Sequence, residues 1–144
     1  MLPVRARKAA VPVVHASLGV LVRRGRVYVQ QRPARGLLGG MWEFPGGKAV
    51  AGEAAAETLR RELKEELGIR VRAAEPVAEV AHAYSHFRVV LRVFVCRVWE
   101  GRIRCTPPHR WVTWDELDGL PLPAANRRFL AAVRPDRLRA VVST

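Results

Sequence analysis

Apolar positions along this chain fall in runs whose period changes from one segment to the next. Val11 to Val22 is rich in β-branched residues, and after Arg23-Arg24-Gly25-Arg26 comes Val27-Tyr28-Val29-Gln30, so the two runs read as a hairpin. A glycine-rich loop from Arg32 to Gly40 leads into Met41-Trp42-Glu43-Phe44, which Pro45-Gly46-Gly47 ends as a turn. From Glu53 to Leu67 the period becomes helical. At about 100° per residue Leu59, Leu63 and Leu67 share one face with Ala56 beside them, and Gly68 supplies the stop. Val71 to Ala83 and Phe87 to Trp99 read as strands, Trp111 to Trp114 as a short strand, and Ala124 to Val133 as a final helix. Strands flanking a central helix, with another helix at the end, predict an α/β sandwich.

Composition narrows the class. A chain of 144 residues with 49% hydrophobic positions suits one ordinary domain and buries roughly two thirds of its unfolded surface. That excludes intrinsic disorder and any need for disulfides or a structural metal. The expected division is a basic extension over residues 1–10 and a single domain over 11–144. Cys96 and Cys105 cannot make a four-ligand zinc site alone, which fits a reduced, cytoplasmic setting. The stretch Val11 to Val22, broken by Pro12 and His15, is too short and too polar to span a bilayer. No cleavable leader or membrane partner is expected.

The formal charge is +12, from 25 basic and 13 acidic residues, and it is unevenly spread. Residues 53–66 are net acidic, so the rest of the chain is more basic still. Such a field attracts phosphates, whether on nucleotides or nucleic acid. Only Lys8, Lys48 and Lys64 are lysine, and so strong an arginine bias also follows from genomic base composition.

Glu62, Glu65 and Glu66 stand three and four positions apart on the predicted helix, which makes them neighbours. One reading is a solvated face with intrahelical pairs to Arg61 and Lys64. Against it, like charges at these spacings cost a few tenths of a kcal/mol each, and two of them lie in the last turn, where the helix dipole disfavours negative charge. A divalent cation offsets both costs. Hard oxygen ligands suit Mg²⁺ or Mn²⁺, which bridge a few carboxylates to substrate phosphates.

Gly47, five residues, Glu53, seven residues, then Arg61-Glu62-Leu63-Lys64-Glu65-Glu66-Leu67-Gly68-Ile69 fills every position of the Nudix box. The chain therefore resembles the Nudix hydrolases, which cleave nucleoside diphosphates linked to another moiety. The resemblance implies an α/β/α sandwich with a mixed sheet, the box forming a loop–helix–loop. It implies that Glu62, Glu65 and Glu66 hold Mg²⁺ with help from a backbone carbonyl at Gly46 or Gly47. Glu53 and Arg61 are then expected to brace the loop against the helix.

Outside the box, Gln31 to Gly47 is similar to the corresponding stretch of MutT-type hydrolases of oxidised dGTP and of the C-terminal domain of MutY adenine glycosylases. Tyr84-Ser85-His86-Phe87 resembles a Phe-Ser-His element of the MutY domain, and Pro123-Ala124-Ala125-Asn126 resembles the Pro-Pro-Ala-Asn segment of MutT. Asn126 can donate to and accept from a purine edge, or it can cap the last helix. Phe44 and Trp42 either flank a base or pack in the core. His86 either bonds substrate or satisfies a strand end, and Arg32 offers a bidentate fork to phosphate or base. MutT-like enzymes usually carry another Glu in the loop before the tryptophan matching Trp111. Residues 103–110 hold no carboxylate, which leaves His109, Glu100 or a box carboxylate as proton acceptor.

The expected function is Mg²⁺-dependent hydrolysis of a nucleoside triphosphate, an oxidised purine such as 8-oxo-dGTP in particular, to the monophosphate and pyrophosphate. Two competitors are a freestanding reader of 8-oxoguanine in DNA, which the full carboxylate set disfavours, and a Nudix hydrolase of another nucleotide such as ADP-ribose. Oligomeric state is not encoded in these motifs.

Overall fold

The computed structural model describes residues 11–35 and 39–132. The expected basic extension, the tip of the glycine-rich loop at 36–38, and Val133 of the last helix lie outside the described residues. In chain order the elements are β1 (Val13–Arg23), β2 (Arg26–Gln31), β3 (Trp42–Glu43), β4 (Gly46–Lys48), α1 (Ala55–Leu67), β5 (Arg70–Ala83), β6 (Arg88–Glu100), β7 (His109–Val112), α2 (Trp114–Asp118) and α3 (Ala124–Ala132).

The sheet is mixed, ordered β3-β2-β1-β6-β5, with β4 added beside β1 and β7 beside β2. β1 and β6 run parallel from Val13↔Arg88 to Leu21↔Cys96, and the other pairings are antiparallel. Both faces are covered. Leu18, Val20 and Val22 of β1 point into a core shared with Leu117, Ala125 and Phe129, whereas Leu21 joins Tyr28, Phe94 and the Leu59, Leu63, Leu67 face of α1. A strand buried on both faces reads as a near-continuous apolar run, which is what Leu18 to Val22 presents.

The predicted helix begins two residues later than its composition suggests. Glu53 does not enter the helix because its carboxylate turns back to accept from the Val50 amide at 3.1 Å and the Thr58 hydroxyl at 2.8 Å. At the N-cap Ala54 has no acceptor of its own, and the Glu57 carboxylate takes its amide proton at 2.8 Å. Gly68 closes the other end at φ 71°, donating to the Lys64 carbonyl. The short helix α2 replaces the end of the strand expected at 111–114. Its signature was present in the sequence: Thr113 and Glu116 form a reciprocal capping box at 3.2 and 2.8 Å.

Candidate active site

β4 lies against β1, with Ser17 opposite Gly47, and so fixes the loop that feeds α1. Arg61 ties that loop to the helix. Its guanidinium donates to both oxygens of Glu53 at 2.8 and 3.0 Å and to the Lys48 carbonyl at 2.8 Å. The same group draws in Glu65 at 3.2 Å and Glu62 at 3.6 Å. Arg61 above all, with the Thr58 hydroxyl and the Val50 amide, pulls the Glu53 carboxyl down to about 2, so Glu53 stays ionised as the anchor of the bracket.

The three box carboxylates have different surroundings. Glu62 faces Gly47 so closely that a Cβ there would overlap its carboxylate. Burial shifts Glu62 upward, partly opposed by Arg61. Glu65 is the most exposed partner of Arg61. Glu66 turns toward the sheet, where it accepts from the Gly46 amide and from Gln30 Nε2, each at 3.4 Å. Crowding by protein atoms, then the charge of Glu43, push Glu66 up to about 7.

Glu43 and Gln30 were not singled out in the sequence. Gln30 Nε2 also donates to Glu43 at 3.5 Å, and its Oε1 accepts from the buried Tyr28 hydroxyl at 3.2 Å. In the sheet Gln30 stands opposite Glu43 on one side and His109 on the other. Glu43 thus sets a fourth carboxylate beside Glu66. No local signal marked Glu43, because a polar residue between Trp42 and Phe44 is what the alternation of a half-buried strand expects. Of the residues named as proton acceptors, His109 ends in this row with Nδ1 at 3.1 Å from the Pro107 carbonyl. Glu100 is engaged elsewhere, by Arg72 at 2.6 Å.

A cavity of about 520 Å³ runs from Gly46 and Gly47 past Arg32, Glu43 and Phe44 to Tyr84 and Asn126. Arg32 pairs with Glu43 at 2.6 Å on its wall. Phe44 is buried edge-on against Phe129 at 5.9 Å, so it packs in the core while lining the cavity. Asn126 lies within the first turn of α3, which begins at Ala124, and so is not the cap of that helix. The residue is only 6% exposed, and its Oδ1 has no hydrogen-bond partner among the described residues. A buried orphan acceptor costs about 1–3 kcal/mol, which a bonded ligand would recover. His86 falls differently: it sits exposed in the turn after β5 and is not on the cavity wall, where Tyr84 and Phe87 stack at 4.9 Å instead.

Among the described residues no three acidic, histidine or cysteine side chains converge as a ready metal cage, because Arg61 holds two of the glutamates and Gln30 the third. The donor set nonetheless fits a hard divalent cation. It offers carboxylate oxygens and a glycine pressed against one of them, and the surrounding protein and the charge of Glu43 push one of those carboxyls, Glu66, upward.

A pH dependence of stability follows for metal-free protein. With its pKa raised in the folded state, Glu66 contributes stability that is whole below about 4.5 and is lost as pH rises through about 7. Glu66 is solvent-exposed, so screening trims the effect to about 1 kcal/mol. In chelator, the melting temperature should fall by about 3 °C more between pH 5 and pH 8 in the native protein than in a Glu66→Gln variant. Parallel curves would show that Glu66 does not titrate in this window.

The profile of the NUDIX domain family matches residues 17–132. The chain is 35% identical over 91 residues to an 8-oxo-dGTP diphosphatase of Proteus vulgaris, covering 62% of this chain and 81% of the relative. It is 39% identical over 123 residues to the CTP pyrophosphohydrolase of Escherichia coli K12, covering 83% and 90%. Among solved structures, a MutT NUDIX hydrolase from Burkholderia pseudomallei superposes with a TM-score of 0.76 at 28% identity, over 85% of this chain and 98% of that one.

Proposed function

From the premise that this chain belongs to the NUDIX domain family and is a Nudix hydrolase of nucleotide diphosphate linkages, we propose that it cleaves a nucleoside triphosphate to the monophosphate and pyrophosphate, with 8-oxo-dGTP as its preferred substrate. The observation that carries the reading is the cavity running from Gly46 and Gly47 to Asn126, a buried amide whose Oδ1 has no partner among the described residues. Phosphates at one end and a purine edge at the other suit its length and chemistry. An amide that both donates and accepts matches a base carrying O6 and a protonated N7.

Glu62, Glu65, Glu66 and the Gly47 carbonyl are the groups that would hold Mg²⁺. Such an ion, when bound, neutralises the pyrophosphate and acidifies water. The chain itself does the rest. Arg61 and Glu53 hold the loop rigid, Phe44 and Asn126 orient the base, and Arg32 stands beside the path between them. The proton of the attacking water passes to the Glu43 and Glu66 cluster, since the loop before Trp111 has no carboxylate. The P–O bond to the departing pyrophosphate breaks as the water oxygen bonds to phosphorus.

The test is product identification with Mg²⁺ across 8-oxo-dGTP, dGTP, CTP and ADP-ribose. A higher kcat/KM for 8-oxo-dGTP, with pyrophosphate released, supports the proposal. Preference for CTP or ADP-ribose would reassign the substrate, and metal-independent binding of 8-oxoguanine DNA without hydrolysis would make the chain a reader. Asn126→Ala should raise KM for 8-oxo-dGTP by about tenfold to a hundredfold, the loss of one or two bonds to the base, with kcat little changed. An equal rise for CTP would remove Asn126 from base recognition.

A further inference from the structure

The arginine excess is not absorbed by the active site, and part of it converges elsewhere. Where β1 and β6 part company after Leu21↔Cys96, the two strands splay and leave an open cleft of about 580 Å³ lined by Arg23, Arg24, Arg97, Trp99 and Val98, with no carboxylate on its wall. Three separate devices bring the arginines there. Arg23 is laid over Trp99 at 4.8 Å and Trp111 at 5.3 Å, rings that themselves stack at 6.2 Å. Arg24 occupies the hairpin turn at φ 53°, the one non-glycine residue at positive φ among those described. A two-residue turn of this kind ordinarily takes Asn-Gly or Gly-Gly. Arg97 lies at a bulge, since β6 advances from Val95 to Val98 while β5 moves only from Glu75 to Ala73. Bulges re-aim side chains and cluster near functional sites, and strained backbone is retained where something depends on it.

Among the described residues none of the three arginines has an ion-pair partner. Unpaired like charges gathered in a concavity repel one another unless an anion joins them. We infer that this cleft binds the phosphate backbone of single-stranded nucleic acid, separately from the nucleotide cavity. A single strand can enter the concavity and set a base on the guanidinium planes or on the exposed Val98. A rigid duplex meets only the rim.

The test uses the Arg24→Gly, Arg97→Gln double variant of the full chain. Glycine relieves the left-handed turn, so the variant should melt no lower than the native protein minus the small effect of Arg97→Gln alone. Fluorescence anisotropy with labelled oligothymidylate and oligouridylate of about 15 nucleotides should show about tenfold weaker binding. The slope of log affinity against log salt should drop by about 1.4, two phosphate contacts at about 0.7 each. Hydrolysis of free nucleotide should be unchanged. Comparable DNA and RNA affinities indicate recognition of the phosphate backbone that the two share. The inference is overturned by equal binding of native and variant protein, by equally tight binding of a blunt duplex, by displacement of the strand with equimolar inorganic triphosphate, or by loss of hydrolysis in the variant.

Discussion

Glu66→Gln is expected to lower kcat at least a hundredfold while leaving the metal-free protein about 3 °C more stable at pH 8. The two effects have one cause. The carboxylate sits where its charge is unwelcome, crowded by protein and faced by Glu43, which pushes it up to about 7. An amide keeps the size and can still bond the Gly46 and Gln30 side of the site, while removing the unfavourable charge. Losing one carboxylate from the electrostatic centre of a hydrolase costs on the order of 10² to 10³ in rate. A gain of about 1 kcal/mol, after allowance for screening, moves the melting temperature of a chain this size by a few degrees. Calorimetry in chelator and initial rates with Mg²⁺ check the pair together. Retained activity would take Glu66 out of the chemistry, and an unchanged melting temperature would show that its charge is already compensated. Added Mg²⁺ should reverse the order of stability, because only the native protein has the full set of oxygens to bind it.

Gly47→Ala is expected to lower kcat/KM about a hundredfold with a modest effect on folding. The reason is space and not conformation: Gly47 does not have a left-handed backbone, but a Cβ there would overlap the Glu62 carboxylate. Either Glu62 leaves its place or the β4 loop retreats from α1, and a displacement of about 1 Å suffices for a loss of this size. Gly52 in the same loop is the control. It stands at φ 80° with nothing within 4 Å of an added Cβ, so Gly52→Ala should cost about 1 kcal/mol of stability and leave kcat/KM near its native value. If the two variants lost activity equally, the contact between Gly47 and Glu62 would have no special part in the site.

The elements with strong local patterns were readable in advance. The β1–β2 hairpin, the leucine face of α1 with Gly68 behind it, the long strands β5 and β6, and the last helix all follow from periodicity and turn chemistry that each segment carries alone. So does the box, because a helix alone places Glu62, Glu65 and Glu66 together. The Thr113–Glu116 capping box was equally local and shows that the short helix α2 had a signal of its own.

What the sequence could not decide depends on residues far apart in the chain. Helical spacing makes the three glutamates neighbours but does not say that Glu66 turns to Gln30, 36 positions away, while Glu62 and Glu65 turn to Arg61. Glu43 becomes part of the cluster only because β3 pairs with β2 at Gln30. For Asn126 the cap reading fell only when the start of α3 at Ala124 placed it inside the helix, its oxygen buried and without a partner among the described residues. His86 and Phe87 are adjacent in sequence, yet the turn after β5 exposes one and sets the other on the cavity wall. Local sequence determines which residues share a helix face or a hairpin. The register of distant strands and the loss of solvent around each group fix its charge state and its orientation, and those are properties of the assembled fold.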